Sequence, residues 1–323
     1  MDLEVSREAP EGWNRLVEED RAASFFHRTE WTSALLASNI DLRPIYIAAR
    51  SGTTVVAGLP AAYVKHGPLT TLESMPVGTY GALVLRADAP PNSAQLLIDT
   101  FARLASRPRV ASAHLVDEAG RIERVPGRFV KKLYDKHTIR LDGGFDAVWS
   151  GFKPSARNKV RKARKAGVTV RRASSESDFL SYYEMLLECC GRWGEREIFG
   201  RTFFAHLSRL DTELVQMWLA EHEGDVIGGD LNFVAHGRVM NWGNVSRTSA
   251  LGLAPNNLLH AAAMEDGAGR GYVEYDLGAS AGIAGVDSFK AAFGTTLVPL
   301  VHYNAGKMWF RALKRAREHG ARQ

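Results

Sequence analysis

A stretch near the carboxyl end of the chain combines residue types that can hold a substrate and stabilise charge. Residues 272–277 alternate apolar and polar side chains, which predicts a strand, and three glycines follow within residues 278–285. The loop leads to Lys290, a single cation between Phe289 and Phe293. An ammonium group fixed beside a strand end could stabilise an oxyanion or neutralise a phosphate, so Lys290 is the first candidate for a catalytic residue.

Two aspartates are candidates for holding or deprotonating an amine. Asp276 ends the predicted strand, and Asp230 lies on a predicted hairpin. An equally open interpretation is that both carboxylates cap backbone N–H groups. Asn232, Trp242 and Asn244 lie on predicted central strands, where polar side chains need a partner or a cleft. We therefore expect these three residues to bind substrate, with core packing as the alternative for Trp242.

A basic segment occupies the middle of the chain. Residues 151–172 contain nine Lys or Arg and no acid. Pro154 and Ser155 favour a helix start, Gly167 favours its end, and a narrow apolar seam between them would dock the helix. The other faces are cationic, so the helix is either a solvated surface or a binding surface for phosphates. The candidate phosphate-binding residues are Lys153, Arg157, Lys159, Arg161, Lys162, Arg164 and Lys165.

The composition is that of a globular protein. The chain has 323 residues, 45% of them hydrophobic, and a formal net charge of +5, which is modest for this length. Its apolar runs are shorter than the roughly 20 residues of a bilayer span. Acidic residues at the amino end do not resemble a signal peptide, so we expect a cytoplasmic protein without transmembrane segments. Cys189 and Cys190 are adjacent and no histidine has metal-ligand spacing, so no metal site is predicted.

Two parts of the chain share a pattern. Residues 47–59 and 219–231 both read as a strand, a glycine turn and a strand with a central glycine. Helices that begin near Pro91 and Pro255 follow at similar offsets. Matches in the same order suggest an internal duplication, with chance recurrence of common hairpins as the alternative. The sequence thus predicts two α/β lobes, residues 1–150 and 151–323, that join near residues 145–153.

Periodicity predicts the elements of the first lobe in more detail. Helices are predicted over residues 12–23, 29–38 and 91–105. Strands are predicted over residues 45–49, 55–64, 83–85 and 110–116, and within 129–141. In each lobe these elements would form a mixed central sheet flanked by helices.

Three segments are similar to motifs of one known family. Residues 157–168 resemble the basic R-N-x-x-K-A-x-K-x-G-V segment of the Fem family of aminoacyl transferases. Residues 275–278 and 289–294 resemble the family's D-F-G … F-K-x-x-F-G signature, and residues 25–31 resemble its F-x-Q-S-x-E-W opening. The likeness extends over nearly the whole chain.

The resemblance implies two tandem lobes of the GNAT N-acyltransferase fold. The best-studied members of the Fem family take an amino acid from a charged tRNA and attach it to an amine of a cell-wall precursor. Relatives use acyl-CoA, some of them in exopolysaccharide synthesis. The resemblance therefore implies aminoacyl-tRNA as co-substrate, no bound cofactor, and an amine acceptor, either a peptidoglycan precursor, a small metabolite or a polysaccharide amine. It also implies that Phe289 and Lys290 contact the donor, and Tyr275 lies in the same signature.

The loop before the predicted helix at Pro255 bears on the choice of donor. CoA-using GNAT enzymes carry an Arg or Gln and glycines there, and the loop cradles pyrophosphate on the helix amino terminus. Arg247 lies in this loop and is a candidate substrate-binding residue, but residues 246–255 contain only one glycine. This departure favours aminoacyl-tRNA over acyl-CoA, which remains the alternative. The basic helix would then bind tRNA phosphates.

Two other classes of function have to be weighed. Residues 278–282 satisfy the G-x-S-x-G pattern of a serine hydrolase, and Asp287 and His302 follow in the required order. Only 43 residues follow Ser280, however, and Gly282 and Gly285 disfavour the helix that must come directly after the nucleophile. The second class is a binding module without catalysis that holds RNA on its basic helix. The sequence leaves the oligomeric state open.

Overall fold

A computed structural model of the chain describes residues 2–77, 79–280 and 282–307. The chain forms two compact units. Unit 1 comprises the described parts of residues 1–33, 40–134 and 299–323, and unit 2 comprises residues 34–39 and the described parts of 135–298. The units thus divide at residue 135, whereas the predicted lobes divide at residue 150. In addition, residues 34–39 belong to unit 2, and the described residues from 299 onward belong to unit 1.

The helices and strands follow each other as in an α/β protein. The α-helices are α1 Trp13–Glu19, α2 Thr29–Leu36, α3 Ser93–Ala105, α4 Phe145–Gly151, α5 Pro154–Lys165, α6 Glu176–Trp193, α7 Arg201–Leu207, α8 Pro255–Gly269 and α9 Ala284–Ala291. The strands are β1 Asp2–Ser6, β2 Leu42–Ser51, β3 Thr54–His66, β4 Leu69–Glu73, β5 Val84–Leu85, β6 Val110–Asp117, β7 Val130–Arg140, β8 Thr169–Arg172, β9 Val215–His222, β10 Asp225–Ala235, β11 Arg238–Ser246, β12 Glu274–Ala279 and β13 Thr296–Gly306.

Unit 1 is built on a mixed sheet with the strand order β1-β2-β3-β4-β6-β13, and β5 pairs with β3. The β4–β6 pair is parallel and the other pairs are antiparallel. Alternation in β2 sends Ile45 and Ile47 to one face, where they pack in a cluster with Phe101 of α3. Tyr46 points to the other face, against Trp13 of α1. The two apolar faces of the sheet are therefore each covered by a helix.

Unit 2 repeats this order of elements on a sheet β7-β12-β11-β10-β9-β8. The β11–β12 pair is parallel and the other pairs are antiparallel. In both units an antiparallel run of strands leads to a helix and then to a parallel strand, β2-β3-β4-α3-β6 in unit 1 and β9-β10-β11-α8-β12 in unit 2. The fold class predicted from the sequence, mixed sheets flanked by helices, is confirmed.

The repeated central glycines have a shared physical cause. A Cβ on Gly58 of β3 would lie 2.5 Å from the buried indole of Trp13, and one on Gly229 of β10 would lie 2.6 Å from the ring of Tyr182. In each unit, a helix that precedes the sheet hairpin, α1 in unit 1 and α6 in unit 2, packs an aromatic ring against the strand. Glycine is needed at these positions because it leaves room for the ring.

Candidate active site

The carboxyl end of β12 is held by hydrogen bonds from Lys290. The Lys290 Nζ donates to the carbonyl oxygens of Gly278, at 3.2 Å, and Ala279, at 2.9 Å. The side chain is half-buried, and burial lowers the pKa of Lys290, although the charges of Asp276 and Asp287 oppose that shift. Two of the three ammonium N–H groups thus donate to the end of β12, and the third has no acceptor among the described residues.

Asp276 forms a buried ion pair that the sequence reading did not predict. Its Oδ2 lies 2.6 Å from Nζ of Lys136 on β7, and the two side chains are 2% and 4% exposed. Its Oδ1 accepts the N–H of Gly278 at 2.7 Å, at a bulge where β12 shifts register against β7. Gly278 has φ of 71°, which favours glycine. Asp276 therefore holds the N–H side of Gly278, the residue whose carbonyl oxygen accepts from Lys290.

Asp230 is fully buried and is the centre of a polar network. The carboxylate accepts hydrogen bonds from Asn232 at 2.9 Å, Asn241 at 2.6 Å and Asn244 at 3.1 Å, and from the Tyr275 hydroxyl at 3.1 Å. Four neutral donors around two oxygens satisfy a buried carboxylate, and they lock β10, β11 and β12 together. The structure thus brings four of the predicted site residues together, and it adds Asn241, which faces Asn232 across the β10–β11 pair.

His260 connects this network to α9. Its Nδ1 lies 3.0 Å from the Tyr275 hydroxyl, and its ring packs 5.6 Å from Phe289 and 5.3 Å from Phe293. Burial lowers the pKa of His260 even though Asp230 acts in the opposite direction. Burial also raises the pKa of Tyr275 well above its usual value. Both groups are therefore neutral at pH 7. The sequence reading missed His260, because a histidine in the apolar pattern of a helix is most simply a core residue.

Trp242 and Arg247 lie away from this network. Trp242 packs in an aromatic cluster with Phe199, Phe203 and Phe233, at ring distances of 4.8 to 6.1 Å. The Arg247 Nε donates to the carbonyl oxygen of Val226 at 3.2 Å, and its guanidinium lies 3.7 Å from Glu188. Their roles in substrate binding stay predictions, because packing in the aromatic cluster accounts for the position of Trp242, and the contacts with Val226 and Glu188 account for that of Arg247.

A pocket of about 360 Å³ lies where α5, α8 and α9 meet. Asn257, in the first turn of α8, is only 4% exposed, and its side chain makes no hydrogen bond with the residues that the structure describes. Ser155 and Ala156 belong to the first turn of α5, so the amino termini of two helices border the pocket, although the N–H groups of Ala156 and Asn257 already donate to Lys153 and Ala254. The pocket is lined by Ser155, Ala156, Lys159, Asn257, Gly285, Ser288, Phe289 and Ala292. Two helix amino termini and one lysine favour an anionic ligand.

The basic helix predicted from Pro154 is confirmed as α5, and it buries the apolar seam Ala156, Val160 and Ala163. Arg157 donates to the Ser150 carbonyl oxygen, Arg161 packs 5.8 Å from the Trp149 ring, and Arg164 lies 3.5 Å from Glu265. The remaining predicted cations make no hydrogen bond or ion pair through their side chains with described residues; these are Lys153, Lys159, Lys162 and Lys165.

Ser280 does not form a catalytic triad with the residues that the pattern offers. Its hydroxyl is buried and has no hydrogen-bond partner among the described residues. Asp287 lies 2.9 Å from His137 in unit 2, and His302 lies 2.9 Å from His114 in unit 1. The first helix after Ser280 begins only at Ala284. These contacts disfavour the serine hydrolase interpretation.

Two kinds of feature are absent from the described part of the chain. It contains no group of three or more His, Cys, Asp or Glu side chains that could hold a metal ion. Among the same residues, none of the helices has both the length and the apolar character that a membrane crossing requires.

Comparison with known proteins supports the same fold. Residues 150–291 match the family model described as acetyltransferase (GNAT) domain. The structure of FemX is similar over 97% of this chain and 99% of its own, with 13% identity and a TM-score of 0.66. The structure of L-PGS from Bacillus licheniformis is similar over 92% of both chains, with 16% identity and a TM-score of 0.61.

A third neighbour is a tandem GNAT protein from the clavulanic acid biosynthesis pathway. It is similar over 94% of this chain and 98% of its own, with 14% identity and a TM-score of 0.57. No curated protein sequence matches the chain. At these identities the structural neighbours show the fold alone, so the chain has a GNAT fold, and residues 150–291 are similar to the acetyltransferase (GNAT) domain model.

Proposed function

We propose that the chain is an N-acyltransferase that moves an aminoacyl group from aminoacyl-tRNA to an amine. One observation carries the proposal: the pocket beside Phe289 combines Lys159, two helix amino termini and the unpartnered Asn257. Such a pocket suits the phosphates at the reactive end of the donor. Lys153 and the three lysines of α5, whose side chains make no hydrogen bond or ion pair with described residues, would extend the same positive surface along the RNA backbone.

Lys290 would act on the carbonyl end of the donor. Its hydrogen bonds to the carbonyl oxygens of Gly278 and Ala279 use two of the three ammonium N–H groups. The remaining N–H group would donate to the acyl oxygen as negative charge develops there. Burial strengthens that interaction because the local dielectric is low. Asp276 would act indirectly, since both of its oxygens are already bound by Lys136 and Gly278. It is therefore a positioning residue in this proposal.

The reaction balances without a cofactor. The lone pair of the acceptor amine attacks the ester carbonyl, a C–N bond forms, and the C–O bond to the terminal ribose of the tRNA breaks. The proton lost by the amine goes to the leaving ribose oxygen, directly or through solvent. An α-amino acceptor has a pKa of about 8 and is partly neutral at pH 7, so it needs no general base. Asp230 is therefore not required as a general base, and its oxygens already accept hydrogen bonds from four neutral donors.

An acyl-CoA donor is the second candidate, favoured by the match of residues 150–291 to an acetyltransferase domain. Against it, Thr248–Leu253 form a 3-10 helix, and Arg247 is tied to Val226 and Glu188. The acceptor remains open between a cell-wall precursor amine, a small metabolite and a polysaccharide amine. The pocket gives no preference among them.

Incubating the protein with mixed charged tRNA, and separately with acetyl-CoA, tests the donor. Each donor is offered with and without a panel of amines, and loss of the ester or thioester is followed over time. We expect amine-dependent deacylation of the charged tRNA. Amine-dependent loss of the CoA thioester alone would overturn the choice of donor. No amine-dependent loss of either donor would contradict the acyltransferase proposal.

A further inference from the structure

A second concave site lies in unit 1, outside everything assigned to acyl transfer. It is a cleft of about 800 Å³ at the end of the sheet where α3 stops. The side chains that matter here come from the ends of β1, β2 and β3 and from the loop between α3 and β6. They are Arg7, Arg43, Tyr63, Lys65, Arg107 and Arg109.

The strand alternation explains why cations line this cleft. Ile45 and Ile47 of β2 pack under α3, and Arg43 has the same alternation phase as both. Tyr63 pairs with Arg43 in the β2–β3 register and also packs against the cluster below α3. Since α3 ends at Ala105, none of the helices in the described part of the chain lines the last part of this face. The face changes there from apolar to cationic.

The cations of the cleft are almost free of counter-charges. Five cations and one acid, Asp41, line the cleft, and Asp41 lies 3.5 Å from Lys65. The guanidinium groups make no ion pair or hydrogen bond with any described residue; they are Arg7, Arg43, Arg107 and Arg109. Arg107 can be explained by the negative carboxyl end of α3, but the cations on strands cannot. Like charges that converge without acids repel one another unless an anion joins them.

Tyr63 adds a polar group without a partner. Its hydroxyl oxygen is buried and has no hydrogen bond within the described residues. A buried hydroxyl without a partner costs about 1–3 kcal/mol, so a ligand oxygen at this place would be favoured. Ile45 and Val110 contribute buried apolar surface at the same cleft. The cleft therefore offers charge, one hydroxyl and an apolar floor.

We propose that this cleft binds the diphosphate group of a small molecule. One phosphate is matched by about two guanidinium groups in bidentate contact, so four such groups fit two phosphates. The volume lies in the range of about 300–1,000 Å³ that is typical of small-molecule sites. The site is independent of the acyl-transfer proposal, and either can fail without the other.

The test is calorimetric titration of the full chain with inorganic pyrophosphate and with orthophosphate at matched ionic strength. We expect pyrophosphate to bind at least tenfold more tightly than orthophosphate. The double variant Arg43→Gln/Arg109→Gln should weaken pyrophosphate binding at least tenfold. Lys131→Gln/Lys132→Gln removes the same charge from exposed positions outside the cleft and should change binding less than twofold.

Three results would overturn the proposal. Pyrophosphate could fail to bind, or its affinity could survive the Arg43→Gln/Arg109→Gln change while circular dichroism shows a folded protein. The two double variants could also lose affinity equally, which would mean that net charge alone attracts the anion. Lys159→Gln/Lys162→Gln separates this cleft from the α5 surface, because that variant should retain the high-affinity pyrophosphate site. If single-stranded RNA bound the cleft more tightly than pyrophosphate, the ligand would be RNA and the small-molecule proposal would be wrong.

Discussion

The two units have the same order of elements but differ where their parallel strands meet. In unit 1, β4 pairs with β6 over four of its five residues, Thr70–Glu73. In unit 2, β11 pairs with β12 over only three of its nine residues, Arg238–Met240. The rest of β11 carries Asn241 and Asn244, which turn to Asp230 instead. Unit 2 thus has polar side chains where its parallel pairing is incomplete.

The corresponding helices α3 and α8 also differ, because each has a concave site at a different end. In unit 2, α5 and α9 lie beside the amino end of α8, and residues of the three helices line the pocket of about 360 Å³. In unit 1, the cationic cleft lies at the carboxyl end of α3, the opposite end of the corresponding helix. Positive charge therefore lies near the amino end of α8 in unit 2 and near the carboxyl end of the corresponding helix α3 in unit 1. The following changes test that difference, from the largest expected effect to the smallest.

Replacing Lys136 by Met should destabilise the protein by about 3–5 kcal/mol, because it leaves the Asp276 charge buried without its partner. Urea unfolding measures the loss. Lys131→Met on the exposed part of β7 is the matched control and should cost less than about 0.5 kcal/mol. Adding Asp276→Asn to Lys136→Met should recover part of the stability. Equal stability of Lys136→Met and its control would refute the buried pair.

Replacing Gly58 or Gly229 by Ala should cost about 1–3 kcal/mol in either unit, because the new methyl group meets a buried aromatic ring. Thermal unfolding of the two variants compares the repeats directly. Gly191→Ala, in α6 with nothing within 4 Å of its Cβ, is the control and should stabilise by up to about 1 kcal/mol. A neutral Gly229→Ala together with a costly Gly58→Ala would show that the aromatic-on-glycine contact is not shared.

Asp178 should make unit 2 sensitive to acid. Hydrogen bonds from Arg171 hold the pKa of Asp178 at about 2, below its usual 3.8. Since the folded pKa is lowered, this stabilisation is present above about pH 4 and is lost as the pH falls toward 2. It is worth at most about 2 kcal/mol. Asp178→Asn should therefore lower the unfolding free energy at pH 7 and have little effect at pH 2; an equal loss at both pH values would contradict the assignment.

Removing lysines of α5 should reduce the salt dependence of RNA binding. Each lost phosphate contact to single-stranded RNA lowers the log–log slope by about 0.7. Fluorescence anisotropy at several salt concentrations gives this slope for Lys159→Gln/Lys162→Gln. The charge-matched control in unit 1 is Lys131→Gln/Lys132→Gln, which should leave the slope unchanged. Identical slopes for both variants would mean that RNA does not bind the lysines of α5.

Local patterns in the sequence were sufficient to predict much of the fold. The hairpin of β2 and β3, the helix α3 and the basic helix α5 follow from alternation, a glycine turn and a proline start. The short strands β1, β4 and β8 were missed, because four or five residues give too little periodicity. The predicted helix over 12–23 is shorter, since α1 ends at Glu19.

The candidate site was predictable only in part. Lys290, Asp276, Asp230 and Tyr275 stand out by type and position, but Lys136 lies 140 residues from its partner Asp276. A pairing at that separation leaves no local pattern. His260 and Asn257 are hidden in the helix α8, where their types suit ordinary packing. The 25–31 motif holds the core residues Phe25 and Trp31, so it is a signal of fold.

The most direct test of the account compares Lys290→Ala with Lys131→Ala in amine-dependent deacylation of charged tRNA. The account predicts that Lys290→Ala lowers the rate by about 100-fold or more, since a donor to the developing oxyanion is lost. Its affinity for RNA should stay within twofold of the parent, and Lys131→Ala should match the parent in both respects. An unchanged rate for Lys290→Ala would contradict the central claim that unit 2 performs acyl transfer through this lysine.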